Sequence, residues 1–424
     1  MRIVSDSAVD ASEDVSGDRG RRVETQIDLN AGDLALRASA SAAVLLPELW
    51  GSHCHKCFAT GVRLSRCGRC HTAFYCSKAC QQADWAPDHR RECKSMAQLA
   101  QIGLRSDQVS DVLLLGRVLR RKGGEGLQPS ELVWYEEDMD DQELLLLAAL
   151  AQKINLVDES FSMDEMARML SRFRNNNFSI CDELLLELGA GCFPLGAMIN
   201  HSCDPNCAVT FVPKTLDMEF RAMKPIKSGE EITQTYVDIA LPRRERQQRL
   251  QRKYHFTCGC PRCSQPLQEP GSLDAYLDAD IDGVPQERWT EERQQEQCID
   301  ALQNLADRQS TILHCHSVAR LQTLATIFSA EMERGSVEEA IGYGERMLEF
   351  YRRVYNPNHP MTGLHVFTLG DLYGQQAQAG TGAEDSKQKS AEYLAEAQRI
   401  LQITHGKDHR FVKMLGDRLE TAST

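Results

Sequence analysis

Apolar positions along this chain follow two different periods, and one terminal segment follows neither. A helical period predicts helices in five segments, at residues 110–121, 143–156, 163–173, 337–351 and 391–404. Residues 23–42 instead favour two short strands joined by a turn at residues 30–33, where Asn, Gly and Asp cluster. Residues 1–17 are polar and acidic without any period, so we expect a disordered tail there. The pattern therefore predicts a chain of mixed helix and strand.

The C-terminal part of the chain carries a weak internal repeat. Residues 264–284 contain Pro, Gly and Asp and are typical of a linker, and helical periodicity resumes from residue 287. The segment Tyr355-Asn-Pro-Asn-His359 aligns with His405-Gly-Lys-Asp-His409, and each follows a predicted helix. Stacked helix pairs produce repeats of this kind. Two copies also fit an ordinary helical bundle, so both interpretations stand.

Composition narrows the classes of function. The 424 residues correspond to two or three domains. A formal net charge of −13 argues against general nucleic-acid binding and suits a basic partner, such as a lysine-bearing peptide. The apolar run that begins at Leu144 is too short for a membrane span, and the acidic N-terminus is neither a secretory signal nor an arginine-rich transit peptide. We expect a monomer that acts in the cytoplasm and nucleus without a membrane.

Eight potential zinc ligands lie between residues 54 and 93. They occur in pairs, which are Cys54 and Cys57, Cys67 and Cys70, Cys76 and Cys80, and His89 and Cys93. In a chain this long, sixteen cysteines with such spacings fit zinc sites in a reducing compartment better than disulfides. Eight ligands make two tetrahedral sites, and spacing alone leaves their pairing open. The segment is also basic. With Phe74, Tyr75 and Trp85 it forms either a surface for nucleic acid or a proline-rich peptide, or a solvated face.

Three further cysteines, Cys258, Cys260 and Cys263, need a fourth ligand from elsewhere, because a structural zinc takes four. The nearest upstream candidates are Cys181, Cys192, Cys203 and Cys207. We choose Cys203, because it lies in a run of Asn, Ser, Asp and Pro that favours a turn and presents a side chain. A metal bound there would fasten this cysteine segment to residues 200–201.

The same region carries the motifs Asn200-His-Ser-Cys203 and Gly229-Glu-Glu-Ile-Thr-Gln-Thr-Tyr236. Together with Cys258-x-Cys260-x-x-Cys263 they resemble the motifs of the SET-domain protein lysine methyltransferases. Residues 54–93 resemble a MYND zinc finger, and a SET domain interrupted by this finger is the SMYD architecture. In that family the sites interleave, so that one metal would be held by Cys54, Cys57, Cys76 and Cys80, and the other by Cys67, Cys70, His89 and Cys93.

The resemblance implies an α+β fold. A β-rich SET domain would be split by the finger and followed by a zinc-stapled post-SET segment and an all-α, tetratricopeptide-like (TPR-like) C-terminal domain. The boundaries that follow are a tail at 1–17, SET parts at 18–52 and 181–240, the finger at 53–93, a helical insert at 94–180, the post-SET segment at 241–265 and the C-terminal domain at 266–424.

The resemblance also implies an activity, which is transfer of a methyl group from S-adenosylmethionine to lysines of histone or non-histone proteins. The expected cofactors are S-adenosylmethionine and three zinc ions. The residues that match the family's donor-binding positions are Arg19, Gly20, Arg21, Tyr135, Asn176, Asn200, His201, Tyr236 and Phe256. Those that match its lysine channel are Phe178, Tyr236 and Tyr254. Tyr236 is expected to be catalytic by orienting the amine, because a tyrosine is a poor base at neutral pH.

One position departs from the family pattern. Arg22 stands where a second glycine usually follows Arg19 and Gly20, and glycine there permits a positive φ or a close backbone approach. This departure favours a second hypothesis, in which the chain is an adaptor with weak or no catalysis that recruits protein partners in transcription regulation. The basic residues 243–253 resemble a nuclear address, but their charges spread around a helix, which favours a solvated helix face.

Overall fold

The computed structural model of the chain describes residues 1–5, 20–121, 126–269, 271–277, 293, 298–380 and 383–422. The chain folds into two compact units. One, which we call the finger unit, contains Leu36–Ile199 and Val209–Phe220. The other, which we call the C-terminal unit, contains Met1–Ala35, Asn200–Ala208 and Arg221–Thr424. Each unit therefore combines segments that are far apart in sequence.

Both helices and strands are present among the described residues. The strands are β1 (Arg2–Ser5), β2 (Arg21–Glu24), β3 (Leu34–Ala38), β4 (Ala42–Leu45), β5 (Ser65–Arg66), β6 (Phe74–Tyr75), β7 (Asn177–Cys181), β8 (Glu187–Cys192), β9 (Asn200–His201), β10 (Cys207–Phe211), β11 (Met218–Ala222) and β12 (Thr233–Gln234). The helices are α1 (Lys78–Asp84), α2 (Arg90–Ile102), α3 (Ser106–Arg120), α4 (Gln142–Lys153), α5 (Met163–Asn176), α6 (Arg243–Tyr254), α7 (Pro261–Ser264), α8 (Ile299–Ile312), α9 (Val318–Arg334), α10 (Val337–Val354), α11 (Pro360–Gln378), α12 (Ala383–His405) and α13 (Arg410–Ala422).

The helices expected from the apolar period are all found, as α3, α4, α5, α10 and α12. The two strands expected between residues 23 and 42 correspond to β2 and β3, but they do not pair with each other. Strand β2 pairs with β1, with Val23 opposite Ile3, whereas β3 lies beside β11. The local sequence therefore predicts where the two strands lie, but their pairing partners depend on tertiary packing.

The expected disordered tail at residues 1–17 is wrong for its first residues. Arg2–Ser5 form β1, in which Ser5 pairs with Arg21 and Arg2 with Glu24. Two apolar residues, Ile3 and Val4, are too few to give a period, and the strand is stabilised by its partner instead. Residues 6–17, the rest of the predicted tail, lie outside the described residues.

In the finger unit β8 lies between β4 and β7 in an antiparallel sheet. At the centre of this sheet Gly189 pairs with Leu45 on one side and Ile180 on the other. A Cβ at this position would lie 2.2 Å from the carbonyl oxygen of Val44 and 2.6 Å from the ring of Phe58. Only glycine allows such an approach, so the beginning of the zinc finger packs directly against the sheet.

A buried ion cluster joins the end of the finger to the same sheet. Glu92, which precedes Cys93, accepts hydrogen bonds from Arg117 Nη2 at 2.8 Å and from Arg120 Nη2 at 2.6 Å. Arg117 also donates to the carbonyl oxygen of Ala43 on β4. Because Glu92 is fully buried, its charge is stabilised only while these guanidinium partners remain in place.

In the C-terminal unit, successive helices from α8 to α13 pack against their neighbours. Their largest apolar core includes Leu348 of α10, Val366 and Leu369 of α11, and Ile400 of α12. The aligned segments of the sequence repeat both lie at helix starts. His359 accepts a hydrogen bond from the N–H of Met361 at 3.2 Å at the start of α11, and His409 accepts one from Phe411 at 3.3 Å at the start of α13.

The two aligned segments therefore occupy the same kind of position, the start of a helix. A histidine that caps the next helix ends each inter-helix turn, and the helix that follows packs on the one before it. The C-terminal part of the chain therefore consists of helix pairs in a TPR-like arrangement.

Candidate functional site

The first metal site is formed by Cys54, Cys57, Cys76 and Cys80, whose sulfur atoms all lie within 4.8 Å of one another. The Cys76 sulfur lies 3.6 Å from that of Cys57 and 3.5 Å from that of Cys80. Helix α1 positions the last ligand, because the Ser77 hydroxyl accepts a hydrogen bond from the N–H of Cys80 and caps the helix. Four cysteine ligands at these separations suit a structural zinc.

The second metal site is formed by Cys67, Cys70, His89 and Cys93, again within 4.8 Å of one another. The Nε2 atom of His89 lies 3.6 Å from the Cys70 sulfur. The two ligand sets therefore interleave along the chain, as the family resemblance implied. Helices α1 and α2 carry ligands of both sites and are joined by residues Trp85–His89. These residues, which include Pro87, form a π-helical turn, so the helix continues there with a wider turn.

The aromatic residues of the finger do not share one surface. Tyr75 is buried, and its hydroxyl donates to Asp84 at 2.7 Å, so it belongs to the core of the finger. Trp85 is half-buried, and the guanidinium of Arg69 lies 5.7 Å from its ring centroid. Tyr75 therefore serves folding, and Trp85 and Phe74 remain partly exposed.

The third metal site, which we call the clasp, brings Cys203 together with Cys258, Cys260 and Cys263. The sulfur atoms of Cys203 and Cys263 are 3.5 Å apart. The prediction of Cys203 as the distant ligand is confirmed. The other candidates, Cys181, Cys192 and Cys207, join none of the ligand clusters that the described residues form.

Two buried arginines and an aspartate surround the clasp, and sequence reasoning missed them. Arg246 of α6 has its Nε atom 3.2 Å from the Cys203 sulfur. Its Nη2 atom donates to Asp274 at 2.7 Å, as does Nη2 of Arg262. The expectation of a solvated face for residues 243–253 is thus wrong for Arg246, which has no exposed surface. The expected linker at 264–284 likewise contributes a buried residue, Asp274.

An aromatic cluster lies beside the clasp. Strands β9 and β12 run parallel, with Gln234 opposite His201, and the N–H of Tyr236 donates to His201 Nδ1 at 2.9 Å. The ring centroid of Tyr236 is 4.8 Å from that of Tyr254 and 6.5 Å from that of Phe256. All of these rings are only partly buried, so they form an aromatic surface that a ligand can reach.

The clasp orients this cluster through α6 and the turn after it. His255 ends α6 in a left-handed conformation with φ +58°. A residue in the left-handed conformation is a common way to end a helix. Cys258 lies three residues later, so a metal at the clasp would restrain the short segment that carries Phe256.

His201 and Asn200 connect the cluster to the rest of the unit. Nε2 of His201 lies 3.3 Å from the Cys203 sulfur, and burial lowers the pKa of His201 to about 4. Nδ2 of Asn200 donates to the carbonyl oxygen of Arg21 at 3.0 Å and to Glu231 at 2.9 Å. The Asn200 side chain therefore joins β9 to β2 and to the segment before β12, and the His201 side chain joins β9 to the clasp and to Tyr236.

Comparisons with known proteins agree with this geometry. The sequence profile of the MYND finger matches residues 54–93. The chain is 28% identical to the histone-lysine N-methyltransferase SMYD3 of Mus musculus over 94% of each chain. It is 29% identical to the N-lysine methyltransferase SMYD2 of Gallus gallus over 95% of each chain, and 27% identical to the histone-lysine N-methyltransferase ASHR1 of Arabidopsis thaliana over 95% of this chain and 93% of the relative.

This chain is similar over nearly its whole length to members of the SMYD family, which are named lysine methyltransferases. It also carries a MYND finger and cysteine clusters that suit zinc. Among solved structures, a Podosopora anserina kinesin light chain with TPR-like repeats matches 32% of this chain and 62% of its own, with 20% identity and a TM-score of 0.24. That score is too low to add to the fold, which rests on the helix packing described above.

The other residues predicted to bind ligands lie as follows. Gly20 has φ +60°, the left-handed conformation that favours glycine, whereas Arg22 lies in the extended strand β2 and donates to Glu24 at 2.8 Å. The position of Arg22 therefore does not need a glycine on conformational grounds. Arg21 is also in β2. Arg19 lies outside the described residues.

Tyr135, Asn176 and Phe178 belong to the finger unit. Asn176 ends α5, and its Nδ2 atom donates to the carbonyl oxygen of Val133 at 2.8 Å. Phe178 in β7 meets the ring of Phe193 edge-on at 6.0 Å, and burial raises the pKa of Tyr135. Their proposed contacts with a methyl donor or a lysine remain predictions.

In the part of the chain that the structure describes, every helix is too short or too polar to cross a lipid bilayer.

Proposed function

We propose that this chain transfers a methyl group from S-adenosylmethionine to the side-chain amine of a lysine in a protein substrate. The observation that carries the proposal is the aromatic cluster of Tyr236, Tyr254 and Phe256 beside His201, held by the clasp. Its support from relatives is similarity over nearly the whole chain to proteins named lysine methyltransferases.

The aromatic cluster fits the chemistry of the two reactants. When bound, S-adenosylmethionine supplies a methyl group already activated on a positively charged sulfur. Aromatic faces attract such cations, and the rings of Tyr236, Tyr254 and Phe256 are exposed enough to be reached. The residues that would hold the donor on this unit are Gly20, Arg21, Asn200, His201 and Phe256.

The protein's own task is to present a neutral amine in the right direction. A free lysine has a pKa of about 10.4, so it is charged at neutral pH. Enclosure by the rings of Tyr236 and Tyr254 removes water from the amine and lowers its pKa. The Tyr236 hydroxyl then orients the nitrogen lone pair, so that the gain in rate comes from alignment. Phe178 is the third proposed residue of this channel.

The net charge of −13 supports a basic, lysine-bearing substrate over nucleic acid. Proline-rich peptides are proposed partners of the finger, at Trp85 and Phe74. We propose the cytoplasm and nucleus as the compartments, since the thiol-rich zinc clusters need a reducing environment.

A binding titration and a transfer assay on the same zinc-loaded protein test the proposal. We expect S-adenosylmethionine to bind and its methyl group to appear on lysine in a protein substrate mixture. Tyr236→Phe should keep donor binding and lose transfer, whereas Tyr343→Phe on α10 should keep both. Absence of donor binding by the zinc-loaded chain would refute the enzyme and leave the adaptor. Unchanged turnover in Tyr236→Phe would refute the role of its hydroxyl.

A further inference from the structure

A turn in the C-terminal unit brings together three metal-ligand side chains that belong to none of the zinc sites above. His314, Cys315 and His316 offer ligand atoms that all lie within 4.8 Å of one another. They occupy the short connection between α8, which ends at Ile312, and α9, which begins at Val318. All three side chains are partly exposed, so an ion from solution can reach them.

The turn is already fixed before any ion binds. The N–H of Ser317 donates to the carbonyl oxygen of His314 at 2.9 Å. The N–H of His316 donates to His314 Nδ1 at 3.2 Å, and a zinc ion bound at that nitrogen would replace this hydrogen bond. On the outer side, the ring of Tyr276 stacks on the imidazole of His314 with centroids 3.9 Å apart and planes inclined by 15°. A ligand set that is held in place loses little conformational freedom on binding.

We propose that this turn binds one exchangeable zinc ion through the imidazoles of His314 and His316 and the thiolate of Cys315, with a further position open to water. The Cys315 sulfur lies 3.8 Å from His314 Nδ1. Zinc bonds of about 2.0 Å to nitrogen and about 2.3 Å to sulfur place two tetrahedral ligands about 3.5 Å apart. Small side-chain adjustments therefore satisfy the ion.

The donor set selects the type of metal. One thiolate and two imidazoles are ligands that zinc prefers, and calcium or magnesium would need oxygen ligands instead. Three protein ligands with an open position also differ from the four-ligand clusters of the finger and the clasp, which are closed.

Charges around the turn set the expected affinity. Arg353 and Arg320 repel a divalent ion, and Glu349 offsets part of that repulsion. We therefore expect this site to bind zinc more weakly than the four-ligand clusters and to exchange it.

Binding of Co²⁺ to such a site can be followed by absorption while zinc remains in the three four-ligand clusters. The full-length protein, with its three cysteine clusters filled with zinc, is titrated with Co²⁺, and sulfur-to-cobalt charge-transfer absorption is recorded. We expect one equivalent of Co²⁺ to produce the band and added Zn²⁺ to displace it. No band at saturating Co²⁺ would overturn the proposal, whatever the outcome of the methyl-transfer assay.

Two variants and a matched control identify the ligands. Cys315→Ser should abolish the band, while Cys298→Ser should keep it, because Cys298 is exposed and joins none of the ligand clusters that the described residues form. His316→Gln should keep the band and weaken Co²⁺ binding by at least roughly tenfold. A band that persists in Cys315→Ser, or Co²⁺ affinity unchanged in His316→Gln, would overturn the assignment.

Discussion

Asp274→Asn tests how strongly the buried charges around the clasp support it. The carboxylate of Asp274 is fully shielded from solvent and accepts hydrogen bonds from three arginines. The donors are Nε of Arg243 at 3.2 Å, Nη1 and Nη2 of Arg246 at 2.9 and 2.7 Å, and Nε and Nη2 of Arg262 at 3.1 and 2.7 Å. The substitution keeps the shape of the side chain and removes its charge.

The size of the effect follows from the charge balance. Four cysteine thiolates and one Zn²⁺ carry a net charge of about −2, which with Asp274 matches the three guanidinium charges. Removing one partner of a buried ion pair costs about 3–5 kcal/mol. Because the amide retains an accepting oxygen, we expect the lower end, about 3 kcal/mol. That free energy corresponds to about a hundredfold change in an equilibrium constant.

Zinc release against increasing chelator is the assay. In Asp274→Asn we expect one zinc ion to be released at about a hundredfold lower free chelator concentration, because Arg246 no longer holds the Cys203 sulfur in place. The two finger zincs should be released as in the unmodified protein. Asp300→Asn, at an exposed position of α8, is the matched control. An unchanged release profile in Asp274→Asn would refute the charge-balance reasoning.

Two further substitutions test the packing of the finger against the sheet. Glu92→Gln leaves Arg117 and Arg120 without their buried carboxylate and should lower the free energy of unfolding by about 3–5 kcal/mol, measured by chemical denaturation of the zinc-loaded protein. Glu245→Gln, at a partly exposed position of α6 whose partner Arg249 is exposed, should change it little. Gly189→Ala places a Cβ 2.2 Å from the Val44 carbonyl oxygen and should either prevent soluble expression or expose the finger to proteolysis, and normal stability in that variant would contradict the close approach.

The metal sites could be predicted because coordination restricts the residue types and their number. A set of three cysteines demands a fourth ligand, and the turn chemistry around Cys203 indicated which one. The pairing inside the finger was different: spacing left it open, and the family resemblance supplied it. Helices such as α5 and α10 could also be predicted, because a local apolar period encodes them.

Contacts between distant residues with no local pattern could not be predicted. Asp274 lies 28 residues after Arg246, in a segment that resembles a linker, and nothing in the sequence marks it as buried. Arg246 itself stands among exposed basic residues of the same helix. Strand β1 was missed for the same reason, since its pairing with β2 depends on tertiary structure.

The central claim is that the metal clasp organises the site of methyl transfer, and the most direct test measures bound zinc and S-adenosylmethionine affinity on the same sample. Cys203→Ser should hold one zinc ion fewer and lose donor binding. Cys207→Ser, at a buried cysteine that joins none of the ligand clusters of the described residues, should keep the full zinc content and bind the donor normally. Donor affinity in Cys203→Ser equal to that of the unmodified protein would contradict the account.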